Sequence, residues 1–209
     1  MPSDLQYLDE ALPGFVAARM IIKKNGESLA PLGFKGEKFE FYRFAHRYRM
    51  ALRFRNVELE GFGAETRKGY SGLTRIFLAW SVFERYIGLA RIHHPYLEFF
   101  EHVPKNEVAM LGQTIKRRDP DRRLYRFLRA FLIEEKHKNA LDRFQDGNVW
   151  KVIYYASALR HAYVHCHLTA FAQGIAAEDV AMICNESSAR ILHWIKTDFA
   201  RRLELARMV

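Results

Sequence analysis

Apolar residues recur along this chain mostly at spacings of three and four, with Pro and Gly falling between the periodic segments. No sustained run alternates with a period of two, and the one ambiguous stretch is Arg53 to Leu59. The pattern predicts an all-α fold. Helices are expected at about 4–24 (interrupted near Pro13-Gly14), 36–58, 71–92, 95–102, 105–117, 120–138, 148–173 and 177–206. Asp119-Pro120-Asp121 and Asn148 read as helix starts, since short polar side chains cap free N–H groups and Pro is pre-set for a first turn. Gly61-Phe62-Gly63, Asp146-Gly147 and Gly174 read as stops. With no internal repeat, low-complexity tract or long linker, residues 1–209 are expected to form one domain. Its core is an antiparallel helical bundle over about 70–207, with additional N-terminal helices over about 1–60 as accessories.

The helix expected at 148–173 carries the chemistry. Val152, Tyr155, Ala156, Leu159, Tyr163, Cys166 and Ala170 form one stripe, the predicted core face. Arg160 and His167 nearly coincide in angle, His161 and His165 lie one turn apart on a neighbouring line, and all four fall away from that stripe. The same side also carries Ile153, Val164, Leu168 and Phe171, too apolar a set to meet only water. A second surface, most simply a second copy of the chain, is expected to cover it.

Composition bounds the setting. In 209 residues, 49% are hydrophobic, enough for a real core, and only Cys166 and Cys184 are available for sulfur chemistry. That excludes a disulfide framework and a four-cysteine zinc site, and a reducing, cytoplasmic location is expected. The start of the chain is acidic, with no basic leader region, and the longest apolar run is Ile76 to Trp80. Membrane insertion and secretion are therefore not expected. The net charge of +9 is concentrated in two segments: Arg19 to Arg55 holds ten basic and three acidic residues, and Lys116 to Lys138 nine and four. Such segments suit phosphates, and Arg, which outnumbers Lys 22 to 11, both forks phosphate oxygens and stacks on bases. The first segment interleaves aromatics, as in Phe41-Tyr42-Arg43-Phe44 and Arg47-Tyr48-Arg49. In the second, Arg117, Arg118, Arg122 and Arg123 surround the Asp-Pro-Asp turn and are the candidate RNA-backbone contacts.

The run Ser157-Ala158-Leu159-Arg160-His161-Ala162-Tyr163-Val164-His165 resembles the signature of the HEPN domain family (higher eukaryotes and prokaryotes nucleotide-binding). In that all-α family a penultimate long helix carries Arg, a polar residue and, after four to six intervening positions, His. Ala79-Trp80-Ser81-Val82-Phe83-Glu84 is similar to the family's early aromatic-and-Glu helix, and the helix after Gly174 has the expected place, so the likeness covers about residues 70–207. The family often has a small residue such as Gly soon after the His, where this chain has Cys166-His167. The resemblance implies a metal-independent endoribonuclease acting by 2′-hydroxyl attack, in a toxin-antitoxin or phage-defence setting. Arg160 would stabilise transition-state charge, His165 would act as general base or acid, and His161 would orient or share proton transfer, with His167 and Glu84 in support. The implied partners are RNA, a second copy through helix 148–173 and an antitoxin protein, with no cofactor. On a continuous helix, positions 160 and 165 are about 140° apart, so two copies would be needed to bring their groups together. The alternative is a non-catalytic dimeric RNA- or nucleotide-binding scaffold.

Two further features bear on chemistry. Glu84 lies close in angle to Trp80 among Leu73, Ile76, Phe77 and Ile87, a carboxylate expected to project from an apolar stripe and to need a partner such as Arg160. His161 and His165 have the spacing of two zinc ligands on a helix, but no Glu follows the first His, and His93-His94 precedes Pro95 at a helix end, so no metal is expected. Gly-rich phosphate loops, nucleophile elbows and calcium loops have no counterpart here, which excludes kinase, nucleotide-switch and dehydrogenase chemistry.

Overall fold

Pro13-Gly14 splits the first predicted helix, because Gly14 takes φ 90°, a left-handed conformation that favours Gly. A computed structural model describes residues 4–90, 99–172 and 174–208, except the side chain of Phe100. It is an all-α fold: among these residues there are nine α-helices, three short 3-10 turns and no strand. We number the helices α1 (Asp4–Ala11), α2 (Phe15–Lys24), α3 (Lys38–Arg53), α4 (Ala64–Leu89), α5 (Lys105–Arg118), α6 (Arg123–Phe131), α7 (Glu135–Gln145), α8 (Val152–Val164) and α9 (Ala177–Arg207). The chain divides into two compact units, one of Met1–Phe54, Ser81–His102 and Ile191–Val209, the other of Arg55–Trp80 and Val103–Arg190. No helix among the described residues is long and apolar enough to cross a membrane.

In the first unit, α1 to α3 pack with the last turns of α4 and the last half of α9. Phe15, Phe34, Phe41, Phe44, Tyr48, Tyr86 and Phe199 are all at most 1% exposed. Their rings meet in stacked and edge-on pairs, such as Phe15 on Phe41 at 5.2 Å and Phe44 on Tyr86 at 5.1 Å. This corrects one sequence expectation: Phe41, Phe44 and Tyr48 point into the core while Arg43 and Arg47 face outward, so those aromatics cannot stack on bases. A capping box between Glu37 and Glu40 starts α3. Beneath the aromatic cluster, Asp198 accepts hydrogen bonds from Tyr86 Oη (2.7 Å), Arg202 Nε (2.7 Å) and Arg201 Nη2 (2.6 Å). Burial alone would raise the Asp198 carboxyl, but Arg202 and these three donors hold it below the ordinary range.

The second unit is built around α8, which packs against α5, α6 and α7. The helix α4 starts at Ala64 rather than at about 71, which brings Gly69 as well as Gly72 into its interior. A Cβ on Gly72 would lie 2.7 Å from Ala181 Cα, and one on Gly69 would lie 2.7 Å from Ala170 Cβ. These glycines let two backbones touch, and Gly72→Ala should therefore cost about 1–3 kcal/mol through overpacking. Urea denaturation would check it; an unchanged midpoint would show that α4 and α9 can move apart freely.

One predicted helix is broken and two end early. The expected helix 120–138 is two, α6 and α7, broken at Leu132–Glu134, and α7 runs on to Gln145. Its start is set by Asp119, 5% exposed, which accepts the N–H groups of Leu124 (3.1 Å) and Tyr125 (2.9 Å) and the hydroxyl of Tyr155 (3.2 Å). The expected helix 148–173 is α8, preceded by a 3-10 turn at Val149–Lys151 and ended at Val164. The expected helix 36–58 stops at Arg53, and that at 95–102 lies partly outside the described residues, as do His93 and His94.

Candidate active site

The early end of α8 shapes the site. Cys166 adopts φ 59°, its N–H donates to Tyr163 O (3.0 Å), and the N–H of His167 donates to Ala162 O (2.9 Å). This left-handed closure is the usual role of Gly, and a residue with a Cβ there costs on the order of 1 kcal/mol. The sequence has no Gly or Pro between Asn148 and Gln173, so nothing in its pattern announced the stop. The consequence is geometric: His165 sits at the helix cap, and the chain then turns back rather than carrying His167 a further turn along a helix.

Three imidazoles gather at this turn. The His161 and His165 rings are 4.5 Å apart, and the His165 and His167 rings 6.5 Å apart. His165 and His167 are exposed; Arg160 and His161 are half-buried. His161 is held below the ordinary histidine value of 6.5, first by burial and then by the charges of His165, Arg160, His137 and His167. His165, the cap residue, still donates its N–H to His161 O (3.1 Å), so the turn at Cys166 redirects the chain only after it and re-places His167. One chain alone brings the three histidines together.

Other members of the site were not singled out by sequence. His137 on α7 lies close enough for its charge to act on His161, and its ring is 5.8 Å from Tyr154. Glu134 is lowered first by its bond to Lys136, and further by the fields of His137 and His161. Phe131 stacks on His167 at 4.5 Å and 19°. These residues lie on α6, α7 and the intervening loop, distant in sequence from the Arg-His run; only the fold brings them beside it.

The remaining predicted residues divide. Arg117 and Arg122 are exposed, with no ion-pair partner among the described residues. Arg118 is half-buried and paired with Asp179 at 3.2 Å. Arg123 is exposed, pairs with Asp121 at 3.6 Å, and donates to Gly174 O at 3.1 Å. Glu84 corrects another expectation. It lies on the outward stripe of α4 with Ser81, Arg85 and Gly88, and is exposed, because the core stripe passes instead through Phe83, Tyr86, Ile87 and Ala90. Ile153 on α8 and Leu168 beyond its end are buried within the chain, which removes half of the apolar set expected to need a second copy; Val164 (40% exposed) and Phe171 (50%) remain. The predicted core stripe holds at Val152, Tyr155, Ala156, Leu159 and Ala170, whereas Tyr163 is half-buried and Cys166 is exposed beyond the helix end.

Among the described residues, no group of three or more His, Cys, Asp or Glu side chains is arranged to hold a metal ion. The pH response of the fold follows from His161. Its folded value lies below its unfolded one, so as pH falls from about 6.5 the unfolded chain takes up the proton first, and stability declines until the folded value is passed. His161→Gln should therefore lose less stability than the wild type between about pH 7.5 and 5.5 in urea titrations; an equal loss in both would contradict this placement.

No family model, curated protein or solved structure matches this chain.

Proposed function

We propose that this chain is a metal-independent endoribonuclease of the HEPN type, with its reacting centre at Arg160, His161 and His165. The observation that supports it most is the 4.5 Å approach of the His161 and His165 rings beside Arg160, on a surface open to solvent. RNA cleavage without metal needs a base for the 2′-hydroxyl, an acid for the leaving 5′-oxygen and a cation for charge on the phosphorane. In this reading His161, held low by burial and the neighbouring charges, is the base, the exposed His165 is the acid, and Arg160 meets the charge. In the reaction, the 2′-oxygen attacks phosphorus as His161 takes its proton. The bond to the 5′-oxygen then breaks as His165 delivers one, leaving a 2′,3′-cyclic phosphate and a 5′-hydroxyl. The setting is the toxin-antitoxin or phage-defence role that the resemblance implies, with an antitoxin protein as neutralising partner. A homodimer would use the apolar residues left exposed near the site, Ile133, Val164 and Phe171.

The rival, a non-catalytic RNA- or nucleotide-binding scaffold, calls for Arg160 and His165 to be packed against protein, and the exposure of His165 favours the enzyme. Incubation of a labelled structured RNA with the wild type in EDTA tests the proposal. The expected products carry cyclic-phosphate ends, and an RNA with a 2′-deoxy nucleotide at the cut position stays intact there. Products with 3′-hydroxyl ends, or equal cleavage of the deoxy RNA, would rule out this chemistry.

A further inference from the structure

A pocket of about 460 Å³ lies along one face of α6, lined by Arg123, Arg126, Phe127, Ala130 and Phe131. These positions follow the three- and four-residue spacing of a single helical stripe, beside the buried Leu124 and Leu128. Phe127 and Phe131 are half-buried, with ring centroids 4.7 Å apart. Arg126 is exposed and has no ion-pair partner among the described residues, while Arg129, further along the helix, is committed to Asp142. The pocket and the histidines share a neighbour, since Phe131 of its lining is also the ring stacked on His167.

We infer that this groove is a subsite for single-stranded RNA, taking an unpaired base against Phe127 and Phe131 and the neighbouring phosphate on Arg126 and Arg123. The inference rests on the ribonuclease reading and names its substrate class. Cationic forks beside aromatic rings complement a nucleotide in both of its parts, since phosphate is anionic and every base has a stacking face. A paired base has its faces covered within the duplex, so the groove selects single strands. Ring contacts from Phe127 and Phe131 through His167 to His165 lead from the bound base toward the reacting centre.

Fluorescence anisotropy of a short labelled 2′-O-methyl oligoadenylate, which cannot be cleaved, tests the groove on the full chain. The wild type should bind the single strand more tightly than the same strand in a duplex. Phe127→Ala should weaken single-strand binding about 5- to 100-fold. Arg126→Gln, at an exposed position that leaves the fold intact, should lower the slope of log affinity against log salt by about one. Absent binding, equal affinity for both strand forms, or affinity and salt slope unchanged in Arg126→Gln would overturn the subsite. Its failure is separable from that of the ribonuclease reading. Cleavage that still depends on Arg160 while Arg126→Gln binds normally overturns only the groove. Oligonucleotide binding that responds to Arg126→Gln, in a protein whose RNA cleavage ignores Arg160, overturns only the active site.

Discussion

Arg160→Ala and His165→Ala are each expected to slow RNA cleavage by about two to four orders of magnitude while leaving the protein folded. Removing a positioned acid or base forfeits the proton transfer it makes in the transition state, typically 10²–10⁴-fold, and removing a cation aimed at developing charge costs a similar factor. His165 is exposed at the cap of α8, and its backbone N–H still donates to His161 O after truncation, so the helix end survives. Arg160→Lys should restore only part of the rate, because an ammonium keeps the charge but loses the planar fork. The combined variant should be scarcely slower than either single one, as groups acting in one step are not additive. Single-turnover rates, compared at matched helicity and matched unfolding midpoint, check all four statements. A wild-type rate in either alanine variant would remove that residue from the reaction.

Asp198→Ala should be the most damaging change to stability, at about 3–5 kcal/mol. Its carboxylate, with a side chain 7% exposed, is the common acceptor for Arg201, Arg202 and Tyr86. Truncation would take from the Tyr86 hydroxyl its carboxylate acceptor in a core where that residue is 0% exposed, and leave the Arg202 guanidinium, 14% exposed, beside the Phe34 ring with no counter-charge. Arg202 keeps its bond to Gly33 O (3.2 Å) and its interaction with the Tyr86 hydroxyl, neither of which supplies a counter-charge. The loss should be recovered in part by adding Arg202→Met, which removes the orphaned charge and keeps much of the packing volume. Urea unfolding of the single and double variants would measure this, and a loss below about 1 kcal/mol in the single variant would show that solvent reaches the cluster.

Much of the fold was legible because helical periodicity records burial. The breaks at Pro13-Gly14 and Asp119-Pro120 and the span of α9 all follow from it. What escaped has specific physical causes. The extension of α4 back to Ala64 was not expected from a helix predicted at 71–92; its Gly69 and Gly72 meet Ala170 and Ala181 at close approach, a tertiary demand with no local signature. The end of α8 was hidden because Cys166 takes a left-handed conformation that Gly would ordinarily mark. That same hidden turn places His167: Arg160, His161 and His165 were readable as a group, with His161 and His165 one turn apart, whereas the approach of His167 to His165 and its stacking on Phe131 were not. Glu84 shows the opposite failure, since angular proximity to Trp80 suggested burial although the core stripe of α4 passes to one side of it. Phe127, Phe131 and His137 gave no signal at all, because aromatics and a histidine on short amphipathic helices resemble ordinary core and surface.

The pH dependence of single-turnover cleavage in EDTA, for the wild type and His161→Gln, tests acid-base catalysis by the histidine cluster most directly. The expected wild-type profile is bell-shaped, with an acid limb centred below pH 6.5 where His161 takes up its proton, and that limb should disappear with His161→Gln, leaving a slow residual rate. No cleavage at any pH, or a profile that His161→Gln leaves unchanged in height and shape, would contradict it.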